Sequence, residues 1–169
     1  MTILVDKAIW PWRGRRWAHL VSDTGYDELH AFAAGLGLRR MAFQGDHYDV
    51  PAEVRVRALA LGAEAVGGRD LLGRLKAAGL RLPPGHRPGS WEEVGRWRTL
   101  GEVVGIPEAL LEARGGVSSD VAEVSAWRRG DEVALLVSAS APIGFDPVPG
   151  VVHRLTDGGC LLELLVVLP

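Results

Sequence analysis

The chain has almost no cysteine, little net charge and no long hydrophobic run, and each scarcity excludes a class of protein. Cys160 is the only cysteine among 169 residues, so one chain can form neither a disulfide framework nor a cysteine-based zinc site. A net charge of -2 gives no global electrostatic reason to expect nucleic acid or an anionic membrane as partner. The apolar stretch at residues 160–169 is too short to cross a bilayer and predicts a buried strand.

Several familiar catalytic and cofactor signatures are also missing. The chain contains no Gly-x-x-x-x-Gly-Lys-Ser/Thr loop, and no Gly-x-Gly-x-x-Gly sequence follows its first apolar run, so it has no nucleotide-cofactor motif. It contains neither His-Glu-x-x-His nor Gly-x-Ser-x-Gly. The amino terminus meets Asp6 after only five residues, which predicts neither a signal peptide nor a membrane span, and we expect a cytoplasmic protein.

The first half of the chain alternates short apolar runs with amphipathic segments, a pattern typical of the α/β class. The predicted strands are residues 2–5, 40–44 and 63–66, and the predicted helices are residues 24–36, 51–61 and 70–78. This order predicts a small three-stranded parallel β-α-β-α-β-α unit at residues 1–80, with right-handed crossovers. The stretch between Trp10 and Trp17 shows no regular periodicity and is expected to be an ordered loop.

A proline- and glycine-rich stretch at residues 81–89 predicts a linker, after which residues 90–169 form a mostly antiparallel α+β region. The capping pattern at Ser90 and the apolar stripe up to Val104 predict one helix, and a shorter one begins at Pro107. Glycine-containing turns at residues 129–131 and 157–159 each separate two apolar runs and predict two β-hairpins.

Acid-base side chains concentrate in the first 49 residues. Asp6, His19, His47 and Asp49 flank the first two predicted strands, and parallel strands place ligands at their carboxyl ends. We expect these four to be catalytic, with Asp6, His47 and Asp49 holding a divalent metal and His19 acting as proton donor or further ligand. Oxygen ligands favour magnesium or manganese, with zinc less favoured unless both histidines are recruited.

The predicted loop supplies candidates for binding a substrate. Arg13, Arg15 and Arg16 surround Gly14 and have the chemistry to clamp phosphate, while Trp10 is predicted to contact the rest of a ligand. Tyr48, beside His47, is assigned to binding as well.

Each assignment has a structural alternative. The arginines are otherwise a solvated loop, and the tryptophans otherwise anchor that loop to the core. Asp6 is otherwise the end of a strand, Asp49 a helix cap and His19 a hydrogen-bonded packing residue.

An ordered series of short motifs in the first half resembles a known family. The motifs are Val5-Asp6, Trp10-Pro11, Arg13-Gly14-Arg15-Arg16-Trp17-Ala18-His19-Leu20, Glu28-Leu29-His30-Ala31-Phe32-Ala33, Phe43-Gln44 and His47-Tyr48-Asp49. Together they resemble the bacterial and phage family called domain of unknown function 4031, over roughly residues 2–80. The resemblance implies a recurring amino-terminal module and no particular activity, and the half after the linker lies outside it.

These residues lead to two functional hypotheses of different classes. The first is an enzyme that acts on a phosphate-bearing substrate, a nucleotide or a nucleic-acid end, by metal-assisted hydrolysis. The alternative is a non-catalytic module that binds a nucleotide or single-stranded nucleic acid, with homo-oligomerisation through the carboxyl-terminal strands. A third reading, a scaffold whose polar turns serve folding alone, requires the acid-base residues to lie on separate faces.

Overall fold

A computed structural model describes residues 2–169, and the chain divides into two compact units. The first unit comprises residues 2–38 and 42–87, and the second comprises residues 39–41 and 88–169. The division between residues 87 and 88 falls inside the predicted linker. None of the helices formed by residues 2–169 has the length and apolar composition that a bilayer crossing requires.

The first unit is built on a five-stranded sheet. Its strands are β1 (Ile3–Val5), β2 (Trp10–Trp12), β3 (Arg15–Ser22), β4 (Tyr48–Pro51) and β5 (Glu64–Ala65). The order is β2-β3-β1-β5, and β4 pairs with β3. The α/β class predicted from the sequence is confirmed, but the only parallel pairing in the described chain is between β1 and β5. The sheet is therefore mixed, where the sequence predicted three parallel strands.

Two local predictions in the first half of the chain are wrong. The stretch predicted as a loop is a β-hairpin, because Arg13 and Gly14 both have positive φ, 48° and 72°, and reverse the chain between β2 and β3. Positive φ at both central residues is typical of the tight turns that match the twist of paired strands. Residues 40–44, predicted as a strand, form a 3-10 turn at Arg40–Ala42 and a single bridge from Phe43 to Tyr48.

The three predicted helices of this unit are present: α1 (Tyr26–Gly35), α2 (Ala52–Ala60) and α3 (Gly68–Ala77). Gly25, the residue before α1, provides no side-chain cap for this helix. The hydroxyl of Ser22 instead accepts hydrogen bonds from the backbone N–H groups of Thr24 and Gly25, and it donates one to the Glu28 carboxylate. The helix is thereby tied to the end of β3.

Alternation along β1 divides the core of this unit between the two sheet faces. Ile3 and Val5 pack in a cluster with Leu20 and Leu29, whereas Leu4 packs on the other side with α3. Because both faces of this strand are covered, its sequence is apolar without interruption. The polar residues that follow it, beginning with Asp6, mark the point where the strand ends.

The second unit is an antiparallel sheet with one α-helix. Its elements are β6 (Glu92–Trp97), α4 (Glu108–Arg114), β7 (Val117–Ser118), β8 (Val121–Arg129), β9 (Glu132–Ala139), β10 (Gly144–Phe145), β11 (Val152–Thr156) and β12 (Leu161–Val167). The large sheet has the order β11-β12-β9-β8-β6, and β7 pairs with β10. Both predicted hairpins are confirmed. The terminal apolar strand β12 lies inside the sheet, as its composition predicts.

The helix predicted after Ser90 is wrong. Residues 92–97 form β6 and pair with β8, and only a 3-10 turn at Leu100–Glu102 follows before α4. Gly95 disfavours a helix at this point, and the pairing shifts register next to it. The second unit therefore has one α-helix where two were predicted, and long-range strand pairing overrides a helix-like spacing of Trp91, Val94 and Trp97.

Candidate functional site

The register of three strands places acid-base side chains in one row across the first sheet. In the antiparallel pairing of β3 with β4, His19 lies directly opposite Asp49. On the other side of β3, the pairing with β1 continues to Asp6, whose backbone N–H donates to the carbonyl of His19 at 3.2 Å. Residues opposite one another in paired strands share a face, so these three side chains are neighbours. The sequence had predicted that these side chains meet at the carboxyl ends of parallel strands. The structure brings them together by antiparallel pairing instead.

Asp6 holds His19 through two contacts. Its Oδ1 accepts the backbone N–H of His19 at 2.7 Å, and its Oδ2 lies 2.8 Å from Nδ1 of the same residue. With Asp6 as acceptor, the imidazole carries a proton on Nδ1, and its Nε2 faces Asp49. The hydrogen bond to Asp6 raises the pKa of His19 above its usual value and outweighs the opposite effect of burial.

Asp46 holds His47 in the same way. Asp46 is completely buried, and its Oδ1 lies 2.5 Å from Nδ1 of His47. Its second oxygen accepts from the guanidinium of Arg81 at 3.0 Å and from the backbone N–H of Leu82 at 3.1 Å. Burial alone would raise the pKa of Asp46, but the hydrogen bonds from His47 and from the Leu82 N–H, with the positive charges of His47 and Arg81, lower it below its usual value. Asp46 is therefore ionised at neutral pH.

The two imidazoles converge on Asp49. Nε2 of His47 lies 3.3 Å from Oδ1 of Asp49, and Nε2 of His19 lies 3.9 Å from the same oxygen. The ring centroids of the two histidines are 5.3 Å apart. Burial alone would raise the pKa of Asp49, but the hydrogen bond from His47 and the nearby cationic groups lower it. The site presents two imidazoles and one ionised carboxylate at a single point.

This group has the composition and spacing of a metal site. One ligand atom each from His19, His47 and Asp49 lies within 4.8 Å of the other two. Imidazoles that bind a metal through Nε2 usually donate Nδ1–H to a carboxylate, which fixes the tautomer and raises ligand basicity. Both histidines have such a partner, in Asp6 and Asp46. The sequence assigned Asp6 as a ligand, whereas the geometry places it behind His19.

A cavity of about 260 Å³ opens beside the group. Its polar lining includes Asp6, His19, His47, Arg81 and Arg87, together with leucines of α3 and the indole of Trp10. Among residues 2–169, Arg81 and Arg87 are the arginines that line this cavity. A ligand in the cavity would therefore meet imidazole, carboxylate and guanidinium groups together.

The structure places the other predicted binding residues elsewhere. Arg15 pairs with Glu53 on the surface, Arg16 donates to the carbonyl of Ile9, and the guanidinium of Arg13 lies over the ring of Trp12. Tyr48 is completely buried, and its hydroxyl lies 2.9 Å from Nδ1 of His30. Tyr48 is a core residue, because alternation along β4 turns it away from the face that carries Asp49.

Sequence reasoning missed Asp46 and Arg81. The signal for Asp46 was its position directly before His47 in a polar turn, where a carboxylate is close enough to reach the ring. No local pattern pointed to Arg81, which follows α3 and reaches Asp46 across 35 positions of sequence. Only the folded chain brings them together.

Comparison with known proteins supports the resemblance seen in the sequence. Residues 3–78 match the model of a family described as "Protein of unknown function (DUF4031)". The match covers only part of the chain and contains Asp6, His19, Asp46, His47 and Asp49. Comparisons with curated proteins and with solved structures gave no significant match.

Proposed function

We propose that the first unit is a metal-dependent hydrolase of phosphate esters. The observation that supports this most directly is the convergence of His47 Nε2 and His19 Nε2 on Asp49, at 3.3 and 3.9 Å. Side chains of these types converge in this way where they share a cation. Nε2 of His19 lies too far from this oxygen for a direct hydrogen bond, whereas a shared cation would join both rings and the carboxylate.

The ligand set that we assign is His19, His47 and Asp49. With two nitrogen ligands the site favours manganese, zinc or iron over magnesium, whose ligands are mostly oxygens and water. Asp6 and Asp46 act as positioning residues, because each fixes the proton on Nδ1 and the orientation of one ring. The three protein ligands leave further positions open to water and substrate.

Metal-assisted hydrolysis is the chemistry that this set supports best. A divalent ion held here would lower the pKa of a bound water and offset the negative charge that develops on a phosphoryl group. Hydrolysis would form a bond between a water oxygen and phosphorus and break the bond from phosphorus to the leaving alkoxide, while the attacking water releases a proton to solvent and the alkoxide takes one up. Arg81 and Arg87, which line the same cavity, are placed to bind the remaining phosphate oxygens.

The proposal is tested with the full chain and two generic substrates. Metal-free protein reconstituted with Mn²⁺, Zn²⁺, Fe²⁺ or Mg²⁺ is assayed on p-nitrophenyl phosphate and bis(p-nitrophenyl) phosphate. His47→Ala and Asp49→Ala should each lower turnover by at least about 100-fold, since they remove ligands and not only their supports. His86→Ala removes an exposed histidine of the same unit and should leave turnover unchanged.

The outcomes separate hydrolysis from the alternative of a non-catalytic binding module. Metal-dependent turnover that is lost in both ligand variants supports the hydrolase. Tight metal binding with no turnover of either ester under any metal would overturn it and leave a binding function. Turnover that persists in His47→Ala would show that the chemistry lies at another site.

A further inference from the structure

We infer that the ligand of this site is a nucleobase joined to a chain of at least two phosphates, with the base on Trp10 and Trp12 and the phosphates on Arg81, Arg87 and Lys76. The inference rests on the proposed function, because it places a phosphate at the same metal group. It adds a recognition surface on each side of that group. Free nucleoside diphosphates and single-stranded nucleic acid share this chemistry.

One surface is a groove lined by indole rings. It has a volume of about 200 Å³ and is formed by Trp10, Trp12 and Trp17 together with His19 and Asp49. Alternation along β3 puts Trp17 on the same face as His19, and Trp10 lies opposite Trp17 in β2. The groove therefore continues the row of acid-base residues, and two members of the candidate metal group form its wall.

Two indoles of this groove expose their rings, although the guanidinium of Arg13 lies over the ring of Trp12. Trp10 and Trp12 are 54% and 56% exposed. The ring of Trp12 packs edge-on against Trp17 at 5.3 Å, and the Trp17 indole N–H donates to the carbonyl of Trp12 at 3.0 Å. Exposed aromatic rings are what stacking on a nucleobase requires.

The other surface is a cationic trench. A second cavity, of about 620 Å³, shares Leu72, Arg81 and Arg87 with the cavity at the metal group, and its further lining residues are Lys76, Leu82, Pro83 and Pro84. Arg81 is partly neutralised by Asp46, whereas Lys76 and Arg87 form no ion pair with any of residues 2–169. These two cations, added to Arg81, exceed what a single phosphate at the metal group needs. They fit a second and third phosphate.

The two surfaces together select the ligand class. A sugar phosphate has no aromatic ring to stack on the indoles. Inorganic phosphate has neither an aromatic ring nor a second phosphate to contact the further cations. A ligand with a flat aromatic base at one end and successive phosphates at the other uses the groove, the metal group and the trench in order. Cations that contact several phosphates also predict strong dependence on salt.

The test measures binding directly, apart from turnover. Full-length protein loaded with Mn²⁺ is titrated calorimetrically with ADP, pyrophosphate and ribose 5-phosphate, and by anisotropy with fluorescein-labelled dT2 and dT6. ADP should bind at least about 10-fold more tightly than pyrophosphate, because the base adds one stacking contact. Stronger binding of dT6 than of both dT2 and ADP identifies a strand, and equal or stronger binding of ADP identifies a free nucleotide. Both results support the shared chemistry.

Variants assign each part of the ligand to its surface. Trp10→Ala/Trp12→Ala should weaken ADP and dT6 at least about 10-fold without changing pyrophosphate binding, while Trp10→Phe/Trp12→Phe should retain most of the affinity, because phenyl rings still stack. Lys76→Ala/Arg87→Ala should weaken all phosphate-chain ligands and reduce the salt slope by about 2. Arg98→Ala, an exposed arginine of the second unit, is the matched control and should change neither.

The result that overturns this inference differs from the one that overturns the hydrolase. If pyrophosphate binds as tightly as ADP and dT6, and the double alanine variant of the tryptophans changes nothing, base recognition is rejected even if ester hydrolysis is observed. If binding depends on the base and the tryptophans but p-nitrophenyl esters are not turned over, the hydrolase fails and this inference stands.

Discussion

Nδ1 of His47 lies 2.5 Å from Oδ1 of Asp46, a carboxylate that solvent does not reach. The relationship repeats that of His19 with Asp6, where the corresponding distance is 2.8 Å. In both pairs the carboxylate accepts a hydrogen bond from Nδ1–H and leaves Nε2 facing Asp49. The candidate site therefore has an inner set, His19, His47 and Asp49, that would contact a cation. Asp6 and Asp46 form an outer set that orients the two imidazoles.

Asp46→Asn should weaken metal binding strongly while the fold survives. The amide keeps the size of the side chain, but it no longer holds a full charge for His47 and Arg81. We expect about 10- to 100-fold lower metal affinity, the usual cost of losing a partner behind a metal-binding histidine. Stability should fall by roughly 1–3 kcal/mol, because buried groups lose charge-assisted hydrogen bonds. Calorimetric titration with Mn²⁺ or Zn²⁺ and urea unfolding measure the two effects.

Asp120→Asn is the matched control for that variant, since it makes the same chemical change at an exposed position of the second unit. It should alter neither quantity. A metal affinity for Asp46→Asn equal to that of the wild type would show that Asp46 serves folding alone, whatever happens to the unfolding curve.

The Asp6–His19 pair should make the stability of the metal-free protein depend on pH. The pKa of His19 is raised in the folded state, chiefly by its hydrogen bond to Asp6. The resulting stabilisation is fully present below the usual histidine pKa of about 6.5 and is lost as pH rises through the raised folded-state value. The wild type should be more stable than Asp6→Asn, and this difference in unfolding free energy should be larger at pH 5.5 than at pH 9. The change in the difference between the two pH values should be roughly 1–2 kcal/mol.

Urea unfolding in the presence of a chelator measures that difference at the two pH values. Asp70→Asn, at an exposed position in α3, corrects for general effects of removing a carboxylate. A stability difference that is constant across this pH range, or that grows toward pH 9, would contradict the assignment of Asp6 as the partner that stabilises protonated His19.

The sequence predicted the identity of the site residues better than their arrangement. Asp6, His19, His47 and Asp49 were chosen as candidates because they flank two short apolar runs, and His47 stands in a polar turn without apolar periodicity. The reason they meet is different from the one predicted, because β3 was missed. Its amino-terminal half is rich in arginine and tryptophan, and its alternation is visible only once the turn at Arg13 and Gly14 is known.

Long-range contacts account for most of the remaining differences. Helices α2 and α3 were predictable because capping, glycine stops and a 3.6-residue period are local signals. The strand β6 was not, because Glu92–Trp97 is held as a strand by pairing with β8, some thirty residues later. Arg81 belongs to the same category, since its partner Asp46 is far away in sequence and neither residue alone suggests the pair.

Arg15 and Arg81 should respond very differently to truncation. Arg15 pairs with Glu53 where both side chains are about 60% exposed, and exposed pairs of this kind contribute about 0–1 kcal/mol. Arg15→Ala should therefore leave metal affinity unchanged and stability nearly so. Arg81→Ala removes a donor from the buried carboxylate of Asp46 and should lower stability by roughly 1–2 kcal/mol and weaken metal binding. Equal effects of the two variants would contradict the assignment of Arg81 to the cavity and of Arg15 to the surface.

Burial of the Glu163 carboxylate should lower the stability of the second unit near neutral pH, and Glu163→Gln should remove this pH dependence. Glu163 in β12 accepts the backbone N–H groups of Arg40 and Met41 at 2.6 and 3.0 Å. Burial raises its pKa and outweighs the opposite effect of these donors. For an acid with a raised folded-state pKa, stabilisation is present below its ordinary pKa and is lost as pH rises through the folded-state value.

The glutamine variant has no such titration, but its amide nitrogen cannot accept, so one backbone N–H loses its partner at a pH-independent cost of about 1–3 kcal/mol. Glu163→Gln should therefore be less stable than the wild type at pH 4.5, and the gap should narrow as pH rises to 7.5. Urea unfolding followed by tryptophan fluorescence measures the gap, with the exposed Glu112→Gln as control. A gap that widens with pH would mean that the two N–H donors, and not burial, govern the ionisation of Glu163.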